Sequence, residues 1–172
     1  MQIEITAQAE RHLKRWQQLA EWPELTSVPG KIETDRLGRI IMSPPPLFDH
    51  ARYVARIIEL LREHLPDGQA LAETPVVTSD GVKVTDAAWL SAEYVEELES
   101  QHPVALKRAP EICVEVLSPS NTAAEMEEKC MLYSEAGARE VWLCDVKGKI
   151  LFCTPELSEA STLCPEFPQT LG

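Results

Sequence analysis

The chain has 172 residues, 44% of them hydrophobic and 26% charged, a balance that suits one globular domain with a core of its own. No stretch nears the roughly 18 apolar residues of a membrane span, and the opening Met1-Gln-Ile-Glu-Ile-Thr lacks a secretory signal's basic and apolar segments, so a cytoplasmic protein without membrane association is expected. A net charge of −12 opposes non-specific attraction to a polyanion, and 5 cysteines without CxxC spacing support neither a disulfide framework nor a zinc site.

Residues 6 to 21 place Leu13, Trp16, Leu19 and Ala20 at helical spacing, and Pro23, Pro29 and Gly30 then break the chain. Lys31 to Thr34 and Arg39 to Ser43 flank a turn through Asp35 to Gly38 and predict a hairpin, ended by Pro44, Pro45 and Pro46. Asp49 is the expected N-cap of a helix from His50 to His64, with Val54, Ile57, Ile58, Leu61 and Leu65 in one apolar stripe. A second hairpin is expected from Ala70 to Thr78 and Val82 to Trp89 around Ser79-Asp80-Gly81. A short acidic helix, Ala92 to Ser100, and a loop lead to the clearest strand, Glu111 to Leu117. Residues 122 to 136 form a helix stopped by Gly137, and Val141 to Val146 and Lys149 to Cys153 are strands about Lys147-Gly148. The tail beyond has no periodicity and is expected to be extended or without fixed order. Strands and helices in this order imply an α/β (α+β) fold with a central mixed sheet flanked by helices.

Three polar residues fall where apolar ones belong. Strand periodicity puts Ile112, Val114 and Val116 on one face and Glu111, Cys113, Glu115 and Leu117 on the other, beneath the following helix. Asp86 likewise shares its face with Val82, Val84 and Ala88, and Lys129 falls in the stripe of Met126, Cys130, Tyr133 and Ala136. Each has a bland reading, an ion pair or a snorkelling lysine. Together they suit a hard cation such as Mg²⁺, or Mn²⁺, on Asp86, Glu115 and the Val116 carbonyl, with Lys129 orienting a nucleophile or neutralising charge. Phosphodiester hydrolysis is the matching reaction class. A basic groove for the substrate has candidates in Arg36, Arg39, Arg52, Arg56 and Arg62, and in Lys107 and Arg108.

Over roughly residues 31 to 153 the chain resembles the Uma-type restriction endonucleases, a domain-of-unknown-function group of the PD-(D/E)XK nuclease superfamily. The likeness is carried by Arg39-Ile-Ile-Met-Ser-Pro-Pro-Pro followed by His50, by Val84-Thr-Asp86-Ala-Ala-Trp-Leu-Ser, and by Pro110-Glu-Ile-Cys-Val-Glu115-Val-Leu-Ser-Pro-Ser. Glu128-Lys129-Cys-Met-Leu-Tyr133-Ser-Glu-Ala-Gly137 and Val141-Trp-Leu-Cys-Asp145 complete it. The resemblance implies a restriction endonuclease-like core in 31–153, with an N-terminal helix and linker (1–30) and a tail (154–172) outside it. It also implies Asp86 and Glu115 as metal ligands, DNA as substrate and Mg²⁺-dependent cleavage. A homodimer is expected, because cutting both strands of a duplex is simplest with two sites.

Three positions depart from the pattern. Leu117 stands where the superfamily's lysine usually does, which moves that role to Lys129; Thr85 replaces a proline and Glu111 an aspartate. Glu111 lies about 13 Å from Glu115 at strand rise, too far to share a metal. Glu33, His50 and Tyr133 match positions that line the site, although a hairpin glutamate and a histidine just after a cap are more often solvated. Ser118 and Ser120 lack a GxSxG elbow and read as helix capping. The alternative to an enzyme is a non-catalytic protein-interaction module that keeps the nuclease fold.

Overall fold

The computed structural model describes residues 7–154 and 156–172. In chain order they form α1 (Ala7–Ala20), a 3₁₀ turn (Pro23–Ser27), β1 (Ile32–Thr34), β2 (Ile40–Met42), α2 (Phe48–His64), β3 (Gln69–Thr78) and β4 (Gly81–Leu90). After these come α3 (Ala92–Glu99), β5 (Ile112–Val116), α4 (Ala123–Glu135), β6 (Glu140–Cys144), β7 (Ile150–Thr154) and β8 (Glu156–Ser158). Strands β3 to β8 line up in sequence order as a mixed 6-stranded sheet, and β1 and β2 pair as a separate 2-stranded sheet. Every neighbouring pair in the large sheet is antiparallel except β5 and β6, which run parallel. That pairing needs a crossover, and α4 supplies it.

Period-two alternation in β5 separates the two layers as expected. Ile112, Val114 and Val116 pack with Tyr53, Ile57, Leu60 and Leu61 of α2 and with Trp142 and Phe152 in the main core. Cys113 turns the other way, against Tyr133 of α4, Ala136 at its C-cap and Val141 of β6. Ile57 and Leu61 are fully enclosed, and each contributes about 2 kcal/mol by leaving water. The helix-and-strand alternation therefore puts Glu115 under α4.

Two caps differ from expectation. Helix α2 starts at Phe48 with Leu47 at the N-cap and no side-chain bond there; Asp49 lies inside the first turn, where its charge complements the helix dipole. Helix α4 is capped by Thr122, which exchanges bonds with Glu125 in a capping box, while Ser118 turns on Asn121 Oδ1 at 2.8 Å.

The tail is packed rather than loose. Beyond the added strand β8, Ser161, Cys164, Phe167 and Leu171 are buried, and Phe167 meets Trp142 with ring centroids 4.6 Å apart. One carboxylate organises it. Glu140 accepts from Trp142 Nε1 at 2.7 Å, Ser161 Oγ at 2.6 Å, the Thr162 amide at 2.7 Å and the Leu163 amide at 2.9 Å. Backbone groups satisfied by a distant side chain leave no periodic trace in the sequence.

Candidate active site

The site begins where two strands part. β3 pairs with β4 along its length, but β5 pairs with β4 only through Ala87 to Trp89 against Ile112 to Val114. Asp86 and Glu115 are the next residues, just past the end of that ladder. Hairpin β1–β2 fills the gap with side chains: the Val82 amide donates to Thr34 Oγ1 at 2.9 Å and the Val84 amide to Glu33 Oε1 at 2.8 Å. On the opposite strand the Val116 amide donates to Asp86 Oδ2 at 2.7 Å. A hydroxyl and two carboxylates thus take amides that a continued ladder would have given to carbonyls.

The three carboxylates are almost enclosed, Glu33 and Asp86 at 5% and Glu115 at 3% exposure. Burial of such charges requires partners. Lys129 Nζ, projected from α4, lies 3.2 Å from Glu115 Oε1 and 3.0 Å from Glu33 Oε1. Tyr133, one turn further along, donates to Glu115 Oε1 at 2.7 Å. His50 Nε2, on the first turns of α2, stands 3.3 Å from Asp86 Oδ2. Lys31 Nζ lies 2.9 Å from Asp86 Oδ1, 3.3 Å from Glu115 Oε2 and 2.9 Å from the Val84 carbonyl.

Electrostatics divides the two central carboxylates. Burial alone would raise Asp86, but the His50 hydrogen bond, the Lys31 charge and the Val116 amide outweigh it and hold the group well below the usual carboxylate range. Glu115 moves the other way: burial raises it, and the attraction of Lys129 and Lys31 only partly offsets burial and the repulsion of Asp86 and Glu33. Burial would lower Lys31 and Lys129, yet the surrounding carboxylates dominate and keep both ammonium groups charged. Burial and the facing Glu115 also push the Tyr133 phenol far up, fixing it as a donor.

All the side chains singled out in the sequence, Asp86, Glu115, Lys129, Glu33, His50 and Tyr133, come together in this cluster, and Val116 enters it through its amide. Lys31 joins them without being among the sequence candidates. Its signal is the alternation of the hairpin strand, which puts it on the face of Glu33 two residues on. Glu111 stands apart, accepting from the amide and hydroxyl of Ser91 at the start of α3. The cluster floors a cleft of about 430 Å³ walled by Pro44 to Pro46 and by Ser118 to Asn121. Glu73, in the left-handed region at φ 47° on β3 between the pairs Ala72–Ala87 and Thr74–Thr85, also lines it.

The expected basic groove is largely neutralised by local ion pairs. Arg39 pairs with Asp35, Arg52 with Asp49, Arg56 with Glu59, Lys107 with Glu10 and Arg108 with Glu97. Among the described residues that line the cleft, the lysines are Lys31 and Lys129, with His50 beside them.

The sequence model of the family described as "Uma2: Putative restriction endonuclease" matches residues 16–163. The chain belongs to this family. Among solved structures it is similar to a crystal structure titled as a putative nuclease belonging to DUF820 from Anabaena variabilis ATCC 29413, with a TM-score of 0.68 and 17% identity. The match covers 86% of this chain and 92% of that one. That likeness shows that this Uma2 member shares the fold of that structure, a mixed sheet flanked by helices. No curated protein matches it. Among the described residues, no helix is long and apolar enough to cross a membrane.

Proposed function

We propose that the chain is a divalent-cation-dependent endonuclease that hydrolyses DNA phosphodiester bonds. The observation that carries this reading is the convergence of Asp86, Glu115 and Lys129 at the floor of one cleft. Asp86 and Glu115 would hold Mg²⁺ or Mn²⁺, with the Val116 carbonyl as a further oxygen. The residues fit such an ion, because the donors facing the cleft are oxygens and Mg²⁺ commonly takes only one or two carboxylates, completed by water and phosphate. Among the described residues no group of three or more His, Cys, Asp or Glu could hold a metal ion by itself, so water and phosphate oxygens would have to complete the coordination. When bound, the ion acidifies a coordinated water and offsets charge on the phosphate.

The protein's own groups orient this chemistry. His50 and the Val116 amide fix one oxygen of Asp86, and Tyr133 and Lys129 fix one oxygen of Glu115. Lys129, which takes the role vacated at Leu117, presents a permanent positive charge toward an entering phosphate. We further propose a homodimer, which gives two sites for the two strands of a duplex.

Plasmid nicking in Mg²⁺ or Mn²⁺ tests the reading. Lys129→Ala should slow cleavage on the order of 10² to 10³-fold. A parent protein inactive with both ions, on duplex and single-stranded DNA alike, sinks it.

A second reading, a protein-interaction module on a nuclease fold, is favoured by the net charge of −12 and by the exposed Ile41, Met42, Leu47 and Phe48 beside the cleft. It predicts no thermal stabilisation by divalent ions. An active site should instead gain about 2.7 kcal/mol at a hundredfold excess over Kd.

A further inference from the structure

The two oxygens of each central carboxylate have different tasks. Asp86 Oδ2 is held by the Val116 amide and His50, and Glu115 Oε1 by Tyr133 and Lys129. The remaining oxygens, Asp86 Oδ1 and Glu115 Oε2, both face the ammonium of Lys31, which also donates to the Val84 carbonyl. We propose that Lys31 is the resident cation of the seat a divalent ion takes in this site, so that loading the ion requires its ammonium to leave. This rests on the nuclease reading above and adds a competitor to it.

Charge balance supports displacement over coexistence. Glu33, Asp86 and Glu115 against the single ammonium of Lys129 leave a double negative charge, which a divalent ion matches. With Lys31 also inside, the loaded cluster would carry excess positive charge in a nearly enclosed site, where like charges repel strongly. The geometry permits the exit. Lys31 is 17% exposed along its side chain at the cleft, and a lysine stem has four rotatable carbons to carry the ammonium outward. Its backbone is fixed. The Ser43 amide donates to the Lys31 carbonyl at 2.9 Å, so the side chain can swing while the hairpin stays in place.

Competition distinguishes this role from that of a structural ion pair. Mn²⁺ titration by calorimetry of the full chain should show at least ten-fold tighter binding for Lys31→Met than for the parent. Amine acylation read by mass spectrometry provides a check that needs no variant. Saturating Mn²⁺ should speed labelling of Lys31 several-fold, while Lys83, tied to the Thr34 carbonyl and Asp80, stays protected. Equal affinity in the two proteins, or Lys31 labelling unchanged at saturation, overturns the proposal while leaving the nuclease reading intact. Absence of Mn²⁺ binding in both proteins overturns both. Competitive binding without any cleavage upholds the competitor and removes the nuclease.

Discussion

Two buried glutamates sit at opposite ends of the one parallel strand pair, and they are satisfied in opposite ways. Glu140 pairs in register with Ile112 where β5 and β6 begin, and Glu115 with Leu143 near their carboxyl ends. Around Glu140 every donor is neutral and belongs to the sheet or to the tail it holds, and these bonds outweigh burial to lower its pKa. Around Glu115 the donors are a phenol and two ammonium groups on flexible stems, and burial wins. A carboxylate closed by fixed neutral donors is architecture. One balanced by movable cations is open to exchange, and it lies at the strand ends where ligands of such sheets gather.

The contrast is sharpest in Glu115→Gln. Cleavage should fall on the order of 10³-fold in the nicking assay. Thermal stability at neutral pH should hold or rise, because the raised pKa means that the charged form is less favourable in the folded state than outside it. A marked fall in Tm would place Glu115 among the structural carboxylates. Glu140→Ala should do the reverse, costing roughly 3 kcal/mol by orphaning several donors, with Tm lower by about 8 °C and Mn²⁺ binding unchanged.

pH gives a finer separation. The stabilisation from Glu140, whose pKa is lowered, is complete above the usual value of 4.5 and is lost as pH falls below it. Chemical denaturation should therefore show the advantage of the parent over Glu140→Gln shrinking in acid. For Glu115, whose pKa is raised, the sign inverts: protonation favours the fold, and this contribution fades as pH rises past 4.5. The difference between parent and Glu115→Gln should thus be smallest in acid and should grow, in favour of the variant, toward neutrality.

Asp86 and Glu115 were legible in the sequence because strand alternation is local and both break an apolar face. Lys129 was legible because one charge stood inside a helical stripe. Lys31 was not, since its role comes from the divergence of β4 from β5 and from a hairpin docking more than 50 positions away from Asp86. The order of the tail escapes local patterns for a related reason: Ser161, Thr162 and Leu163 answer to Glu140, 21 to 23 residues earlier, rather than to a repeating ladder. The α2 cap shows the limit of local rules, for Asp49 offered a better capping side chain than Leu47 and the helix began before it.

The parting of β4 and β5 also leaves the molecule with two built-in reporters. The amides of Val84 and Val116 end on Glu33 and Asp86 rather than on carbonyls. Their protons sense the charge of those carboxylates directly, so their nuclear magnetic resonance frequencies and solvent-exchange rates track whatever cation stands in the cleft, residue by residue and without a substrate.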